Sequence, residues 1–232
     1  MLLLHGWSQH ADEWWNAGYV DALSDSYRII AIDRLGHGES DKPHDPVLYH
    51  EEHSVADLVA LLDAEHVDRV LVWGYSMGAR YAASLAIMHP ERVVAVVCGG
   101  RMPMGGTEAL RQEWIAGGTS MNTTEALEAM LRGFDSTDES VHDSLARNDP
   151  QALSACWIGG AEYFPSGKDV KAPMLWYQGS NDLGGFSNPE LELAQQVNAE
   201  THLIDGASHS SAFQRSADVV RIVRPFLDKA AI

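Results

Sequence analysis

The sequence predicts an α/β protein with a mostly parallel central sheet flanked by helices, and three observations indicate this fold class. Short apolar segments alternate with helical segments along the chain, which is the pattern of βαβ units. The apolar segments are nearly continuous rather than alternating, as expected for strands that are buried on both faces. The 232 residues, of which 45% are hydrophobic, favour one large domain with a sizeable core.

The strand-like segments are residues 2–4, 28–32, 70–73, 93–98, 174–177 and 202–204. The helical segments between them are residues 11–23, 54–65, 77–88, 189–197 and 211–230. Gly18 interrupts the first of these helical patterns, and an internal glycine weakens a helix.

One region departs from this alternation. Residues 101–171 contain no convincing strand, but they show helical patterns at 108–115, 124–131, 138–146 and 151–157. Pairs of glycines, which we expect to end or hinge these helices, stand at 105–106, 117–118 and 159–160. We interpret residues 101–171 as a helical cap inserted into a core that consists of residues 1–100 and 172–232.

Composition excludes several classes of function. Sixteen Lys and Arg residues against 33 Asp and Glu residues give a net charge of −17, which argues against nucleic acid or an anionic membrane surface as a partner. Two cysteines do not make a disulfide framework, and no apolar segment approaches the ~18 residues of a membrane span. The chain starts without a basic leader region, so we expect a cytoplasmic protein. We also expect a monomer or a homodimer.

The strongest chemical signal is the sequence Gly-Tyr-Ser-Met-Gly at residues 74–78, which lies between an apolar strand and a helix rich in small residues. A serine at such a sharp strand-to-helix turn has a strained backbone, and the flanking glycines remove side chains that would clash. The hydroxyl of Ser76 then projects from the carboxyl end of the sheet. The pattern predicts Ser76 as a nucleophile, whereas a helix-capping serine is the simpler alternative.

A serine nucleophile needs a general base, and the base needs a carboxylate to orient it. His209 follows the last strand and is the expected base, since that strand ends at the same sheet edge as Ser76. His37 is its rival, but the loop around it is typical of a tight structural turn. Asp182 follows the strand at 174–177 and is the expected carboxylate, with Asp205 as the alternative.

Acyl transfer also requires hydrogen-bond donors where negative charge develops on the carbonyl oxygen. We expect these to be the backbone N–H groups of Met77, directly after the serine, and of Trp7, in the loop after the first strand. No metal or organic cofactor is expected. His50 and His53 share a helix face but have no third ligand motif, so a solvated face is the better interpretation.

The chain resembles the α/β-hydrolase family, specifically its single-chain serine hydrolases of esterase or lactonase type with a helical cap. The resemblance rests on residues 4–7, 33–40, 74–78, 179–182 and 206–209, and on the chain order of serine, aspartate and histidine. Family members usually begin with an antiparallel hairpin that this chain lacks. The sheet is therefore expected to have six strands with 28–32 at its edge, unless the start is truncated.

The resemblance implies hydrolysis of carboxylic esters or lactones through an acyl-enzyme, on medium-sized and mostly apolar small molecules. Side chains of the cap expected to contact the substrate are Trp114, Met130, Trp157 and Phe164. A serine at position 76 disfavours the family's epoxide hydrolases and dehalogenases, which use an aspartate there. Two alternatives stay open: a carbon–carbon bond hydrolase of aromatic degradation, and a non-catalytic protein that binds a small molecule.

Overall fold

The computed structural model describes residues 1–133 and 136–231. Its six strands form one sheet in which every neighbouring pair is parallel, in the order β2-β1-β3-β4-β5-β6. The strands are β1 (Leu2–Leu4), β2 (Ile30–Ile32), β3 (Val70–Tyr75), β4 (Val93–Gly99), β5 (Met174–Gly179) and β6 (Glu200–Ile204). The predicted α/β fold class is confirmed, and β2 lies at an edge of the sheet as expected.

The α-helices of the described residues follow in chain order. They are α1 (Glu13–Asn16), α2 (Tyr19–Leu23), α3 (Glu51–Ala64), α4 (Met77–Met88), α5 (Glu108–Ser120), α6 (Thr124–Gly133), α7 (Asp138–Arg147), α8 (Pro150–Gly160), α9 (Asn188–Gln196), α10 (His209–Gln214) and α11 (Ser216–Ala230). Within the described ranges, no helix is both long enough and apolar enough to cross a membrane.

Helices cover both faces of the sheet, which explains the continuous apolar character of its inner strands. Successive strand side chains point to opposite faces, so Leu2 and Leu4 belong to an apolar cluster with side chains of α3, α4 and α9, whereas Leu3 belongs to one with side chains of α1, α2 and α11. Every residue of β3 and β5 is buried. The edge strands β2 and β6 are only partly covered.

Two predicted helices are each divided in the structure. The pattern at 11–23 forms α1 and α2, which are separated at Gly18, where φ is 86°. The pattern at 211–230 was predicted as one helix, and this is wrong. Arg215, with φ −87° and ψ 52°, ends α10 and precedes α11. Helix α10 also begins earlier than predicted, because a capping box at Ser208 makes His209 its first residue.

Residues 101–171 contain α5 to α8, and the part of this segment that the structure describes adds no strand to the sheet. We use "cap" below for this segment. Gly117 and Gly118 do not end or hinge α5, contrary to the expectation, since the helix continues to Ser120. Gly118 instead allows close helix packing, because a Cβ atom there would lie 2.7 Å from Cγ1 of Ile158 in α8.

Candidate active site

Ser76 occupies a sharp turn between β3 and α4 at the carboxyl edge of the sheet. Its φ of 53° and ψ of −112° lie outside the favoured regions for a side-chain-bearing residue. A Cβ atom at Gly74 would lie 2.0 Å from the carbonyl oxygen of Gly78, and one at Gly78 would lie 2.0 Å from the carbonyl oxygen of Leu4. The flanking glycines are therefore required by contact between backbones, and they hold the strained serine in place.

His209 and Asp182 are paired across the loops that follow β5 and β6. Nδ1 of His209 lies 2.7 Å from Oδ2 of Asp182, whose side chain is 8% exposed. A carboxylate can only accept, so Nδ1 carries the hydrogen and the lone pair of the ring that can accept a proton is on Nε2. Asp205, the alternative carboxylate, is exposed, and its backbone carbonyl accepts a hydrogen bond from Arg215.

The two loops that carry this pair are joined through their backbones. The N–H of Asn181 donates to the carbonyl of Ala207 over 2.9 Å. A Cβ atom at Gly179 would lie 2.1 Å from that same carbonyl oxygen. Glycine at position 179 therefore allows the end of β5 to approach the loop before His209.

The loop after β4 completes the surroundings of the imidazole. Gly100 has a φ of 68°, and a Cβ atom there would lie 2.8 Å from the Tyr75 ring and 3.1 Å from Cε1 of His209. Its N–H donates to the carbonyl of Tyr177, while the N–H of Ser76 donates to Gly99. Only glycine combines this backbone conformation with such close packing against the imidazole.

Buried histidine contacts orient the peptide between Gly6 and Trp7. Nε2 of His5 accepts from the N–H of Arg34 over 3.1 Å, so Nδ1 carries the hydrogen and donates to the carbonyl of Gly6 over 2.7 Å. Burial lowers the pKa of His5 to about 4, which favours this neutral form. In a trans peptide the N–H points opposite to the carbonyl, so the N–H of Trp7 is directed away from His5.

This glycine–tryptophan segment also lies against the serine. A Cβ atom at Gly6 would be 3.4 Å from Cβ of Ser76. Met77 is the first residue of α4, so its N–H is one of the helix-start donors that have no intrahelical acceptor. The two predicted oxyanion donors, Trp7 and Met77, are thus on segments that flank Ser76 on both sides.

Ser76, Asp182 and His209 line one cavity of about 400 Å³. Of the four cap residues expected to contact substrate, Trp157 lines this cavity beside Trp7, with the ring centroids 5.2 Å apart. The other three are not among its described lining residues. Trp114 stacks on Trp157 at 4.8 Å and contacts Phe164 at 5.1 Å, while Met130 packs in an apolar cluster that joins the cap to Trp7 and Tyr49 of the core.

His37, the rival base, lies away from this lining. It is fully buried, contacts His5 at 5.1 Å between ring centroids, and shares a hydrogen bond with the carbonyl of Leu35. Burial, followed by the neighbouring His5, lowers its pKa well below the ordinary value. These contacts indicate a structural role for His37 in the loop at 33–40.

Possible metal ligands occur together at one place that the sequence analysis did not identify. Among the described residues, His10, Glu13 and Asp143 bring ligand atoms within 4.8 Å of one another. Nε2 of His10 lies 2.5 Å from Asp143, which also accepts from Arg147. These contacts join the core loop after β1 to α7 of the cap. His50 and His53 stack at 6.2 Å, and His53 contacts the carbonyl of Val47.

The strained serine lies between a strand and a helix, and the histidine–aspartate pair lies at the same edge of the parallel sheet. This arrangement defines the class of α/β proteins that have a nucleophile elbow. The family model for the alpha/beta hydrolase fold matches residues 1–188 of this sequence. The chain belongs to the alpha/beta hydrolase fold family.

Similar proteins include hydrolases from several bacteria. The 2-hydroxymuconate semialdehyde hydrolase of Pseudomonas sp. strain CF600 is 33% identical over 99% of this chain and 87% of that protein. The 2-hydroxy-6-oxononadienedioate/2-hydroxy-6-oxononatrienedioate hydrolase of Paraburkholderia xenovorans LB400 is 27% identical over 98% of this chain and 86% of that protein. Several other curated relatives match over less than half of their own length, between 29% and 41%.

Among solved structures, the enol-lactonase of Burkholderia xenovorans LB400 superimposes with a TM-score of 0.83. The match covers 98% of this chain and 90% of that one at 23% identity, so it bears on the fold alone.

Proposed function

We propose that this protein is a serine hydrolase that cleaves carboxylic esters or lactones through an acyl-enzyme. The observation that carries the proposal is the placement of strained Ser76 and the His209–Asp182 pair around one cavity. A hydroxyl group is a poor nucleophile at neutral pH, and an oriented imidazole is the group that activates it.

In the first half of the reaction, Nε2 of His209 accepts the proton of Ser76 as Oγ forms a bond to the substrate carbonyl carbon. The carbonyl electron pair moves to oxygen, where the N–H groups of Met77 and Trp7 donate hydrogen bonds to it. Asp182 stabilises the imidazolium that results. The bond to the leaving oxygen then breaks, and that oxygen takes the proton from His209.

In the second half, His209 accepts a proton from water as the water oxygen attacks the acyl carbon. The bond to Ser76 breaks, Oγ regains a proton from the imidazolium, and the carboxylic acid leaves. Every proton is carried by His209, so none of these steps requires a metal or a cofactor. An epoxide hydrolase of this fold would need a carboxylate at position 76, where this chain has serine.

Hydrolysis of a carbon–carbon bond is the second candidate function. The 33% identity with 2-hydroxymuconate semialdehyde hydrolase, over nearly the whole chain, favours it. The same serine, histidine and aspartate would be used, with a carbon leaving group that must be protonated in place of an alcohol oxygen.

A substrate panel tests the proposal and separates the two candidates. We would measure p-nitrophenyl esters from acetate to decanoate by phenolate release, γ- and δ-lactones by acid release, and 2-hydroxymuconate semialdehyde by loss of its absorbance. Turnover of esters or lactones that disappears in Ser76→Ala is the expected result. Turnover of the semialdehyde alone would replace the first candidate by the second. Ligand retention without any turnover would contradict both and indicate a binding protein.

A further inference from the structure

Arg101 is a charged residue of the cavity that the reaction outlined above does not use. It follows Gly100, whose backbone packs against the imidazole of His209, and adjacent Cα atoms are only ~3.8 Å apart. Arg101 lines the same cavity as Ser76 and His209. Within the described part of that lining, it is the one arginine or lysine.

The surroundings of the Arg101 guanidinium differ from those of neighbouring arginines. Arg80 pairs with Glu51, and Arg111 of the cap pairs with Glu162. The Arg101 guanidinium instead lies over the ring of Trp114, 4.8 Å from its centroid, and no ion pair or hydrogen bond of this side chain occurs among the described residues. A cation at a cavity wall therefore faces an aromatic ring instead of an acid, in a chain with 33 acidic residues.

Arg101 is an exposed residue that lines the cavity, so a dissolved anion can reach it. A guanidinium stays protonated in proteins. A guanidinium without a carboxylate partner is available to pair with an anion that enters the cavity.

We propose that Arg101 binds a carboxylate group of the substrate, so that the substrates are carboxylate-bearing esters, lactones or ketones rather than wholly apolar ones. The proposal rests on the proposed function, since it places this carboxylate in the same cavity as the scissile bond. A carboxylate matches the planar fork of a guanidinium. Glu13 and Asp182, which line the same cavity, and the net charge of −17 disfavour a dianionic phosphate there.

Two nearly isosteric esters test the proposal. The mono-p-nitrophenyl ester of succinate ends in a carboxylate group, whereas p-nitrophenyl 4-methylpentanoate ends in an isopropyl group of similar shape. We expect Arg101→Gln to lower kcat/KM for the succinate ester by about 10- to 100-fold, chiefly through KM, as for the loss of one charge-assisted hydrogen bond. The same variant should change kcat/KM for the methylpentanoate ester by less than about threefold.

Matched variants separate charge from packing on Trp114. Arg101→Lys keeps the charge and should recover part of the activity on the succinate ester, whereas Arg111→Gln should leave both esters unchanged. Equal losses on the two esters in Arg101→Gln would overturn the proposal, because they would indicate a structural role. No loss on either ester would overturn it as well.

Binding distinguishes failure of this proposal from failure of the proposed function. Calorimetric titration of Ser76→Ala with succinate should give heat of binding that is absent from Ser76→Ala/Arg101→Gln. Binding of succinate without hydrolysis of any ester would support the carboxylate site and contradict only the hydrolase. Ester hydrolysis by the wild type, without Arg101-dependent binding of succinate, would contradict only the carboxylate site.

Discussion

The hydroxyl of Tyr75 donates a hydrogen bond of 2.5 Å to the backbone carbonyl of His209. Tyr75 is the last residue of β3 and directly precedes the proposed nucleophile, whereas His209 is the first residue of α10. The hydrogen bond therefore joins the residue before Ser76 to the residue that carries the imidazole. It fixes the backbone position from which the imidazole reaches into the cavity.

Tyr75→Phe is expected to lower kcat for ester hydrolysis about tenfold, since a small displacement of a catalytic group weakens its alignment. The free energy of unfolding should fall by about 1–3 kcal/mol, because the carbonyl of His209 loses its buried donor. Steady-state kinetics and urea unfolding measure the two effects. Tyr27→Phe is the control: Tyr27 donates to Asp228 at the far surface and should change stability without changing kcat.

Asp182→Asn tests the assignment of the acid. Neutralising the carboxylate at Nδ1 of His209 should lower kcat roughly 10³- to 10⁴-fold, as for other triads, because the imidazolium loses its stabilising charge. Asp205→Asn should stay within about twofold of wild type, as expected for an exposed position. If Asp205→Asn were the more damaging variant in stopped-flow kinetics, the pairing of Asp182 with His209 would not be the functional one.

His5 makes stability depend on pH. Burial holds the pKa of His5 at about 4 in the folded protein, below the ordinary value of 6.5, so the unfolded chain binds more protons between these two pH values. The free energy of unfolding should therefore be highest above pH ~6.5 and decline as the pH falls to ~4, by an amount on the order of 3 kcal/mol for this group.

Urea midpoints of the wild type and of His5→Asn, measured between these pH values, test this dependence. The asparagine amide can replace Nδ1 as donor to Gly6 but does not titrate, so the decline should be shallower in the variant. Parallel curves for the two proteins would show that His5 does not contribute to the pH dependence.

Asp143 joins helix α7 of the cap to the core. Burial alone would raise the pKa of Asp143, but hydrogen bonds from His10 and Arg147 lower it below the ordinary value. Its contribution to stability should therefore be present above pH ~4 and be lost below that value. At pH 7, Asp143→Asn should accelerate hydrogen exchange of the α7 amides, with a loss of stability of about 1 kcal/mol.

Asp138→Asn provides the matched control for this contact. Asp138 is exposed, starts the same helix and pairs with Arg132 within the cap, so it does not reach the core. Exchange in α7 that rises equally in both variants would mean that the contact with His10 does not hold the cap.

The six strands and the strand-to-helix turn at Ser76 could be predicted from the sequence because local signals determine them. The six apolar segments are the six strands of the sheet, and the inner ones are largely buried. Glycine at positions 74 and 78 is the only residue that fits, because a Cβ atom at either position would lie 2.0 Å from a backbone carbonyl oxygen. The proximity of Asp182 to His209 was also open to prediction, since β5 and β6 end at the same edge. The strand ends were predicted within a few residues.

Features that depend on how distant segments meet could not be predicted. Gly118 looked like a hinge, because the sequence does not show that Ile158 of α8 packs against it. Nothing near Arg215 marks the break between α10 and α11. The contact of Arg101 with Trp114 could not be predicted either, since it depends on the fold of the cap. The sequence signal that could have identified Arg101 is a cationic residue shortly after β4, at the edge of the sheet that carries the candidate site.

Covalent labelling with a fluorophosphonate tests the central claim that Ser76 is an activated nucleophile. The probe phosphonylates a serine only where a base and oxyanion donors assist the attack. The account predicts one adduct per chain by intact-mass measurement, located by peptide mapping on the peptide that contains Ser76, with strongly reduced labelling in His209→Ala and none in Ser76→Ala. Labelling that persists in Ser76→Ala, or that is as slow in the folded protein as in the urea-unfolded chain, would contradict it.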